Sequence, residues 1–205
     1  MSAEREDEGR VRTGEAARKT LETDITVRVV LDGSGEATVD TLVPFLDHML
    51  TSLARHGRLD LTVRARGDVE IDDHHTTEDV ALTLGRALRE ALGDRAGIAR
   101  FGSAYAPMDE ALARVVVDVS GRPHTTYNVE GILPFAGKFQ TYLAGHFFRS
   151  LAQEAGLTLH VELLYGTDPH HAIEAVFKAF ALALRQSVAL GGVGMGVPST
   201  KGSLD

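Results

Sequence analysis

The sequence predicts a mixed α/β protein that is built from two similar halves. Segments in which apolar and polar residues alternate, as in half-buried strands, take turns with segments that carry the apolar spacing of helices. The motif His-His-x-x-Glu occurs twice, at 74–78 and 170–174, and a lone histidine precedes each copy, at His48 and His146. The two motifs lie 96 residues apart and the two lone histidines 98. A duplication explains these matched spacings.

The predicted elements follow the same order in both halves. Residues 1–17 form a polar leader that we expect to be disordered. In the first half the predicted elements are a strand over 25–31, a turn over 32–35, a returning hairpin strand over 36–43, a helix from Pro44 to about Gly57, a strand over 59–65 and a helix over 75–92 capped by Gly93. In the second half they are a strand over 112–119, a turn over 120–123, a returning strand over 124–129, a helix over 139–155 ended by Gly156, a strand over 157–164 and a helix over 171–190.

These elements define the expected organisation of the chain. The first pseudo-repeat covers residues 18–97 and the second covers residues 98–190, followed by a C-terminal tail over 191–205. Because neither repeat carries a full set of histidines alone, we expect the two repeats to form one domain.

The composition excludes several classes of partner. Hydrophobic residues make up 43% and charged residues 24% of the 205 positions, as in an ordinary globular protein. The net charge of −8 argues against a nucleic-acid surface, and no apolar run approaches the roughly 20 residues of a membrane helix. The acidic start resembles neither a signal peptide nor a transit peptide, so a cytoplasmic location is expected. The absence of cysteine leaves histidine and carboxylates as the metal ligands.

The two motifs predict a pair of divalent transition-metal ions. On a helix, the first histidine and the glutamate of each motif are four residues apart and share a face. A single such pair is usually only a solvated helix start, but two copies at matched spacing favour metal ligation. The expected ligands are His48, His74, His75, Glu78, His146, His170, His171 and Glu174. One symmetric division places His48, His75, His170 and Glu174 on one ion and the other four on the second, although neither this division nor a single-chain origin follows from the sequence.

Seven short segments carry a family resemblance. They occur in order at 45–50, 55–57, 73–79, 108–112, 120–123, 170–175 and 198–202. Over Arg18 to Leu204 the chain resembles the imidazoleglycerol-phosphate dehydratase family of histidine biosynthesis. One departure is Leu42, which stands where the family commonly has glycine.

The resemblance implies a fold, an activity and an assembly. The fold is a duplicated α+β two-layer sandwich, each half a four-stranded sheet with helices on one face, of the ribosomal-protein-S5-domain-2-like type. The family's enzymes are manganese-dependent hydro-lyases that convert D-erythro-imidazoleglycerol phosphate into imidazole acetol phosphate and water. Two Mn²⁺ ions per active site bind the substrate's imidazolate. The subunits form a homo-oligomer of 24 copies with active sites completed between subunits.

The resemblance also assigns further site residues. Glu22 is the expected acid/base carboxylate, whereas its position alone suggests only an exposed strand glutamate. Asp109 and Glu110 are expected to hold or protonate hydroxyls, although an acidic pair at a helix start is the simpler interpretation. The expected substrate-binding residues are Glu22, His48, His56, His74, Glu78, Arg100, Arg122, His170, Lys178, Ser199 and Lys201. Among these, Arg100, Arg122, Ser199 and Lys201 suit a phosphate, which makes the tail over 191–205 a phosphate-binding segment.

Three other interpretations of the motifs remain open from the sequence. A metallohydrolase with a bridging hydroxide would use a similar ligand set on different substrates. A non-catalytic metal-binding or storage protein would need the ligands but not Glu22. A phosphate-binding module with the same duplicated plan would need no metal.

Overall fold

A computed structural model describes residues 11–191, 196–202 and 204 of the chain. The strands of the first half are β1 (Thr13–Lys19), β2 (Thr23–Val30), β3 (Ala37–Asp40) and β4 (Asp60–Gly67), and its helices are α1 (Pro44–Gly57) and α2 (His74–Leu92). The second half has β5 (Phe101–Met108), β6 (Ala111–Asp118), β7 (His124–Asn128), β8 (Phe135–Ala136), β9 (Phe139–Gln140) and β10 (Thr158–Tyr165), with α3 (Tyr142–Ala155) and α4 (Pro169–Val188).

The two halves have the same sheet topology. The first sheet has the strand order β1-β2-β4-β3 and the second has β5-β6-β10-β7. In each, the last-named strand pairs parallel with its neighbour and the other pairs are antiparallel. The short β8–β9 hairpin is an insertion in the second half. The predicted duplication of two α/β halves is confirmed.

The two predicted hairpin returns are wrong. The segment predicted over 36–43 pairs parallel with β4 as β3, and the segment over 124–129 pairs parallel with β10 as β7. The Oδ1 atom of Asp60 accepts hydrogen bonds from the backbone N–H groups of Ser34, Gly35 and Glu36 at 2.8, 3.0 and 3.0 Å. These bonds hold the connection at the start of β4, so that the chain passes to the far side of β4 instead of turning back along β2.

Two edge strands were not predicted. Residues 13–17, which the sequence predicts as part of the leader, belong to β1, and no element is predicted from the sequence over β5. Both strands approach a helix through a glycine, where an added Cβ on Gly14 would lie 2.0 Å from the carbonyl oxygen of Ala87, and one on Gly102 would lie 1.9 Å from that of Ala183. Because backbone rather than large apolar side chains makes these contacts, the hydrophobic pattern is weak. Residues 1–10 of the predicted leader lie outside the described residues.

The four helices lie between the two sheets and were predicted to within a few residues. α2 packs on β1 and β2, and α4 packs on β5 and β6. α1 contacts α4 and α2 contacts α3, so the halves share one hydrophobic core that includes Phe147, Phe148, Phe177 and Phe180. Among the described residues, no helix is long and apolar enough to cross a membrane.

This packing sets the position of the histidines. The motifs occupy the first turns of α2 and α4, and the lone histidines lie on α1 and α3. Since α1 packs against α4 and α2 packs against α3, the lone histidine of each half faces the motif of the other half.

Candidate functional site

Three side chains from both halves converge on one point between α1 and α4. The Oε2 atom of Glu174 lies 3.2 Å from His48 Nε2 and 3.1 Å from His170 Nε2. One donor atom from each of these residues lies within 4.8 Å of the others. We call these three residues the Glu174 cluster. Two imidazole nitrogens and a carboxylate oxygen at this spacing are a suitable partial ligand set for Mn, Fe, Co, Ni or Zn.

The carboxylate of this cluster is buried and ionised. Only 8% of the Glu174 side chain is exposed, and its second oxygen, Oε1, lies 2.8 Å from Lys178 Nζ. Burial raises the pKa of Glu174, but the hydrogen bonds from Lys178 and His48 outweigh it and bring the pKa to about 2. The cluster therefore presents a negative charge to the space between the two imidazoles at neutral pH.

A related set lies between α2 and α3, which we call the Glu78 cluster: His74, Glu78 and His146. His74 Nε2 lies 3.6 Å from Glu78 Oε2, and the ring centroids of His74 and His146 are 4.8 Å apart. The Tyr142 hydroxyl lies 3.3 Å from the other ring nitrogen of His74, Nδ1. Burial lowers the pKa of His146, which keeps its imidazole neutral and able to bind a cation.

His75 is held by a carboxylate that the sequence did not identify. Its Nδ1 atom lies 3.0 Å from Asp68 Oδ2, and Glu22 Oε2 lies 3.8 Å from the same nitrogen. The hydrogen bond to Asp68 raises the pKa of His75 despite the opposing effect of desolvation. A carboxylate on Nδ1 fixes the ring so that Nε2 is the nitrogen left for a ligand.

His171 has the corresponding arrangement in the second half. Its Nδ1 atom lies 2.8 Å from Glu110 Oε2, and its Nε2 lies 3.7 Å from Asp109 Oδ2. Glu110 also accepts backbone N–H bonds from Asp168 and Thr167, at 2.9 and 3.2 Å. The bond from Asp168, then those from His171 and Thr167, lower the pKa of Glu110 to about 2. The hydrogen bond that His171 donates to Glu110 in turn raises the pKa of His171.

The structure brings together most of the expected ligands. Each cluster draws on both halves, as the symmetric division required. Within the described chain, however, His75 and His171 contact Asp68 and Glu110 instead of completing the clusters. Their assignment as the fourth ligand of each set therefore stays a prediction.

Two residues beside the expected ligands were not identified from the sequence. Asp68 directly follows the end of β4, and its place in the sequence shows no spacing that relates it to His75. Tyr142 lies one helical turn before His146, a spacing that would have placed it on the same face of α3.

The basic residues expected to bind phosphate lie elsewhere. Arg100 makes two hydrogen bonds to the Asp118 carboxylate, at 2.7 and 3.1 Å, and one to the carbonyl oxygen of Pro198 at 2.9 Å. The tail with Ser199 and Lys201 therefore lies beside Arg100, and the Lys201 amide N–H donates to Ser199 Oγ. The Val119 N–H donates a hydrogen bond to the Arg100 carbonyl oxygen. The turn that carries Arg122 therefore begins beside Arg100. Residues 192–195 of this tail lie outside the described residues.

A cavity of 370 Å³ opens beside the Glu174 cluster. Its walls include His48, His170, Phe45 and Phe139, and Lys138 lies at its edge. Phe45 stacks on Phe139 at 5.0 Å and meets the His170 ring edge-on at 5.2 Å. His56, at the end of α1, is partly buried, and burial and then the Lys178 charge lower its pKa.

Comparisons with known proteins agree on one family. The model of the imidazoleglycerol-phosphate dehydratase family matches residues 41–184. The chain is 56% identical to the imidazoleglycerol-phosphate dehydratase of Symbiobacterium thermophilum, over 94% of this chain and 93% of that protein. It is 51% identical to the enzyme of Bacillus subtilis, over 95% of this chain and 100% of that protein.

Solved structures lead to the same family. The imidazoleglycerol-phosphate dehydratase of Staphylococcus aureus superposes with a TM-score of 0.79 at 38% identity, covering 87% of this chain and 99% of that one. The Pyrococcus furiosus enzyme superposes with a TM-score of 0.80 at 38% identity, covering 92% and 99%. The chain belongs to the imidazoleglycerol-phosphate dehydratase family, the dehydratases (lyases) of histidine biosynthesis that act on a phosphorylated imidazole compound.

Proposed function

We propose that this protein converts D-erythro-imidazoleglycerol phosphate into imidazole acetol phosphate and water with two Mn²⁺ ions at each active site. The observation that supports this most is the pair of clusters, each with imidazoles from both halves and one carboxylate from a motif. His48, His170 and Glu174 would hold one ion, and His74, His146 and Glu78 the other. His75 and His171, each oriented by a carboxylate, supply the remaining protein ligands.

The donor sets fit manganese. Each offers imidazole nitrogen and carboxylate oxygen without sulfur, which suits a divalent ion of this kind. When bound, such ions would stabilise negative charge on the substrate's imidazole ring and so would assist departure of the neighbouring hydroxyl.

Glu22 acts as the general base. It lies in the turn between β1 and β2, with its amide N–H bonded to Thr20 Oγ1 at 3.1 Å and its side chain 56% exposed. Its carboxylate lies beside His75 and takes the proton from the carbon that carries the remaining hydroxyl. Asp109, near His171 Nε2, is placed to hold a hydroxyl. Glu110 is committed to His171 and two backbone amides, so we assign it a positioning role.

Phosphate binding requires a second copy of the chain. The Arg100 amide bonds to the carbonyl of Ser187 in the last turn of α4, while His170 lies in the first turn. At 1.5 Å per residue these ends are about 25 Å apart, whereas only three carbons separate ring from phosphate in the substrate. Arg100, Arg122, Ser199 and Lys201 of one copy therefore bind the phosphate of a substrate held at the Glu174 cluster of another. This geometry supports a homo-oligomer, and the family resemblance favours 24 subunits.

The proposed organisation of the chain separates metal and imidazole binding, in the two repeats, from phosphate binding by the tail. The repeats over 18–97 and 98–190, extended at the start to include β1, form one catalytic domain, and residues 191–205 form the phosphate-binding tail. Lys178 and His56 lie beside Glu174, where either can contact bound substrate. A cytoplasmic location suits a biosynthetic enzyme of this family and stays a prediction.

The test is an absorbance assay for imidazole acetol phosphate with metal-free protein and with added Mn²⁺. We expect no product after EDTA treatment and full recovery with Mn²⁺, and a loss of at least a hundredfold in kcat for Glu22→Gln with Mn²⁺ still bound. A Glu22→Gln variant with normal activity would favour another base. Absence of activity under any divalent metal would remove the proposal.

A further inference from the structure

The two clusters are related by pseudo-symmetry, but their surroundings differ at two matched positions. Each motif glutamate is followed four residues later by a side chain on the same helix face, Lys178 after Glu174 and Leu82 after Glu78. Each lone histidine is preceded four residues earlier by Pro44 or by Tyr142. The duplicated frame therefore provides an internal comparison of what each substitution does to a metal position.

The first difference concerns charge. Lys178 Nζ lies 2.8 Å from Glu174 Oε1, so an ammonium occupies one of the two carboxylate oxygens and leaves Oε2 alone to face His48 and His170. Leu82 offers no charge at the matched position in the first half. A metal ion in the Glu174 cluster would bind a carboxylate whose negative charge is already shared with Lys178. It would also be repelled by the Lys178 ammonium on the other side of that carboxylate. In the Glu78 cluster the cation that acts is Arg149 on α3, whose charge adds to burial in lowering the pKa of His146, whereas no ion pair between Glu78 and a cation of its own helix is found in the described chain.

The second difference concerns orientation. The Tyr142 hydroxyl lies 3.3 Å from His74 Nδ1, where it can accept the Nδ1 hydrogen and leave Nε2 facing Glu78. The matched histidine in the other cluster, His170, instead makes a perpendicular ring contact with Phe45. A polar partner on the distal nitrogen typically increases metal affinity 10–100-fold by fixing the tautomer and ring, whereas an aromatic contact fixes only the ring.

We propose that the two metal positions are unequal, the Glu78 cluster being the tighter site and the Glu174 cluster the weaker, exchangeable one, with Lys178 and Tyr142 as the positioning residues that cause the difference. This inference rests on the proposed function in that it assumes one ion per cluster. The inference adds to the proposed function the order in which the two positions fill as the Mn²⁺ concentration increases. At limiting Mn²⁺, the chain holds one ion in the Glu78 cluster.

The test is a titration of metal-free protein with Mn²⁺ at pH 8, in which the electron paramagnetic resonance signal reports free Mn²⁺. We expect two classes of site, one ion per chain in each, with dissociation constants at least tenfold apart. Glu174→Gln should remove the weaker class and Glu78→Gln the tighter one. A single class of two equal sites, or the opposite assignment, overturns the inference.

Four further variants test the two causes separately. Lys178→Met should lower the dissociation constant of the weaker class at least tenfold. Lys178→Arg, which keeps the charge, should leave the difference between the two dissociation constants unchanged. Leu82→Lys should weaken the tighter class, and Tyr142→Phe should weaken it about tenfold. Lys178→Met leaves a buried carboxylate without its partner and so can prevent folding. If the Lys178→Met protein does not fold, Leu82→Lys alone tests whether a nearby ammonium weakens Mn²⁺ binding. An unchanged weaker class in folded Lys178→Met, or an unchanged tighter class in Leu82→Lys, contradicts the role of charge.

The outcome can be separated from that of the proposed function. A protein that shows dehydratase activity with two equal Mn²⁺ sites disproves the inference alone. A protein that binds no stoichiometric Mn²⁺ disproves the two-ion proposal, and the inference with it. Two unequal sites without dehydratase activity would leave the inference standing and remove the reaction.

Discussion

Asp68 offers a direct perturbation of the proposed metal centre, because it contacts a proposed ligand without being one. Its Oδ2 atom lies 3.0 Å from His75 Nδ1, and only 16% of its side chain is exposed. Substitution to alanine removes the acceptor that fixes the His75 ring. Substitution to asparagine keeps an acceptor oxygen in place and removes only the charge.

The size of the effect follows from this contact. A hydrogen bond that involves a charged group contributes about 1.5–3 kcal/mol, and a neutral one about 0.5–1.5 kcal/mol. Since about 1.4 kcal/mol corresponds to a factor of ten in an equilibrium constant, Asp68→Ala should weaken Mn²⁺ binding about 10–100-fold. Asp68→Asn should cost about tenfold or less, because the neutral bond still orients the ring.

The assay is Mn²⁺ binding to metal-free protein at pH 8. Asp24→Ala is a suitable control, since it also removes a carboxylate from the first half but pairs with Lys19 on exposed β1 and β2. We expect wild-type affinity for the control. Wild-type affinity in Asp68→Ala, or weaker binding in Asp68→Asn than in Asp68→Ala, would refute the reasoning.

Three further outcomes follow from the structure. Leu42 has φ of 65° in the left-handed region, which costs a non-glycine residue about 1–2 kcal/mol, so Leu42→Gly should raise the urea midpoint slightly or leave it unchanged, while Leu42→Val should lower it. Gly102→Ala should reduce the free energy of unfolding by about 1–3 kcal/mol in urea, because its Cβ would lie 1.9 Å from the Ala183 carbonyl oxygen; an unchanged midpoint would contradict the close approach. Because the pKa of Glu174 is lowered from 4.5 to about 2, the metal-free protein should lose about 3 kcal/mol of stability as pH falls through this range. Thermal unfolding between about pH 5 and about pH 2 should show a shallower decline for Glu174→Gln than for wild type.

The sequence predicted those parts of the fold that apolar periodicity determines. The four helices carry an apolar stripe and recognisable ends, such as Pro44 at the start of α1 and Gly156 in the left-handed conformation after α3. Strand partners were harder, because register and pairing depend on distant groups such as the Asp60 carboxylate. The edge strands β1 and β5 were missed because their closest contacts with helices are made by glycine backbone.

The site shows the same division. Histidine spacing and the duplication were enough to predict that side chains of both halves converge, as His48, His170 and Glu174 do, while their role as metal ligands stays a prediction. Asp68 and Tyr142 are orienting groups whose role depends on a distance to a ring in another element, and no spacing in the sequence encodes that distance. The distance between Arg100 and the Glu174 cluster likewise depends on the fold, because Arg100 lies at the last turn of α4 and His170 lies in the first turn.

At Leu42 the family resemblance and the backbone conformation agree. The family resemblance marked it as a departure from glycine, and the structure gives the physical reason why glycine suits the position. A leucine there is tolerated because its side chain is half exposed and need not pack.

An anomalous-scattering map at the manganese edge, from crystals grown with Mn²⁺, tests the central claim most directly. We expect two peaks for each chain, one beside His48, His170 and Glu174 and one beside His74, His146 and Glu78, with Arg100 and the tail of a neighbouring copy facing the same space. A single peak, peaks away from these clusters, or His74 and His75 bound to one ion would contradict the account.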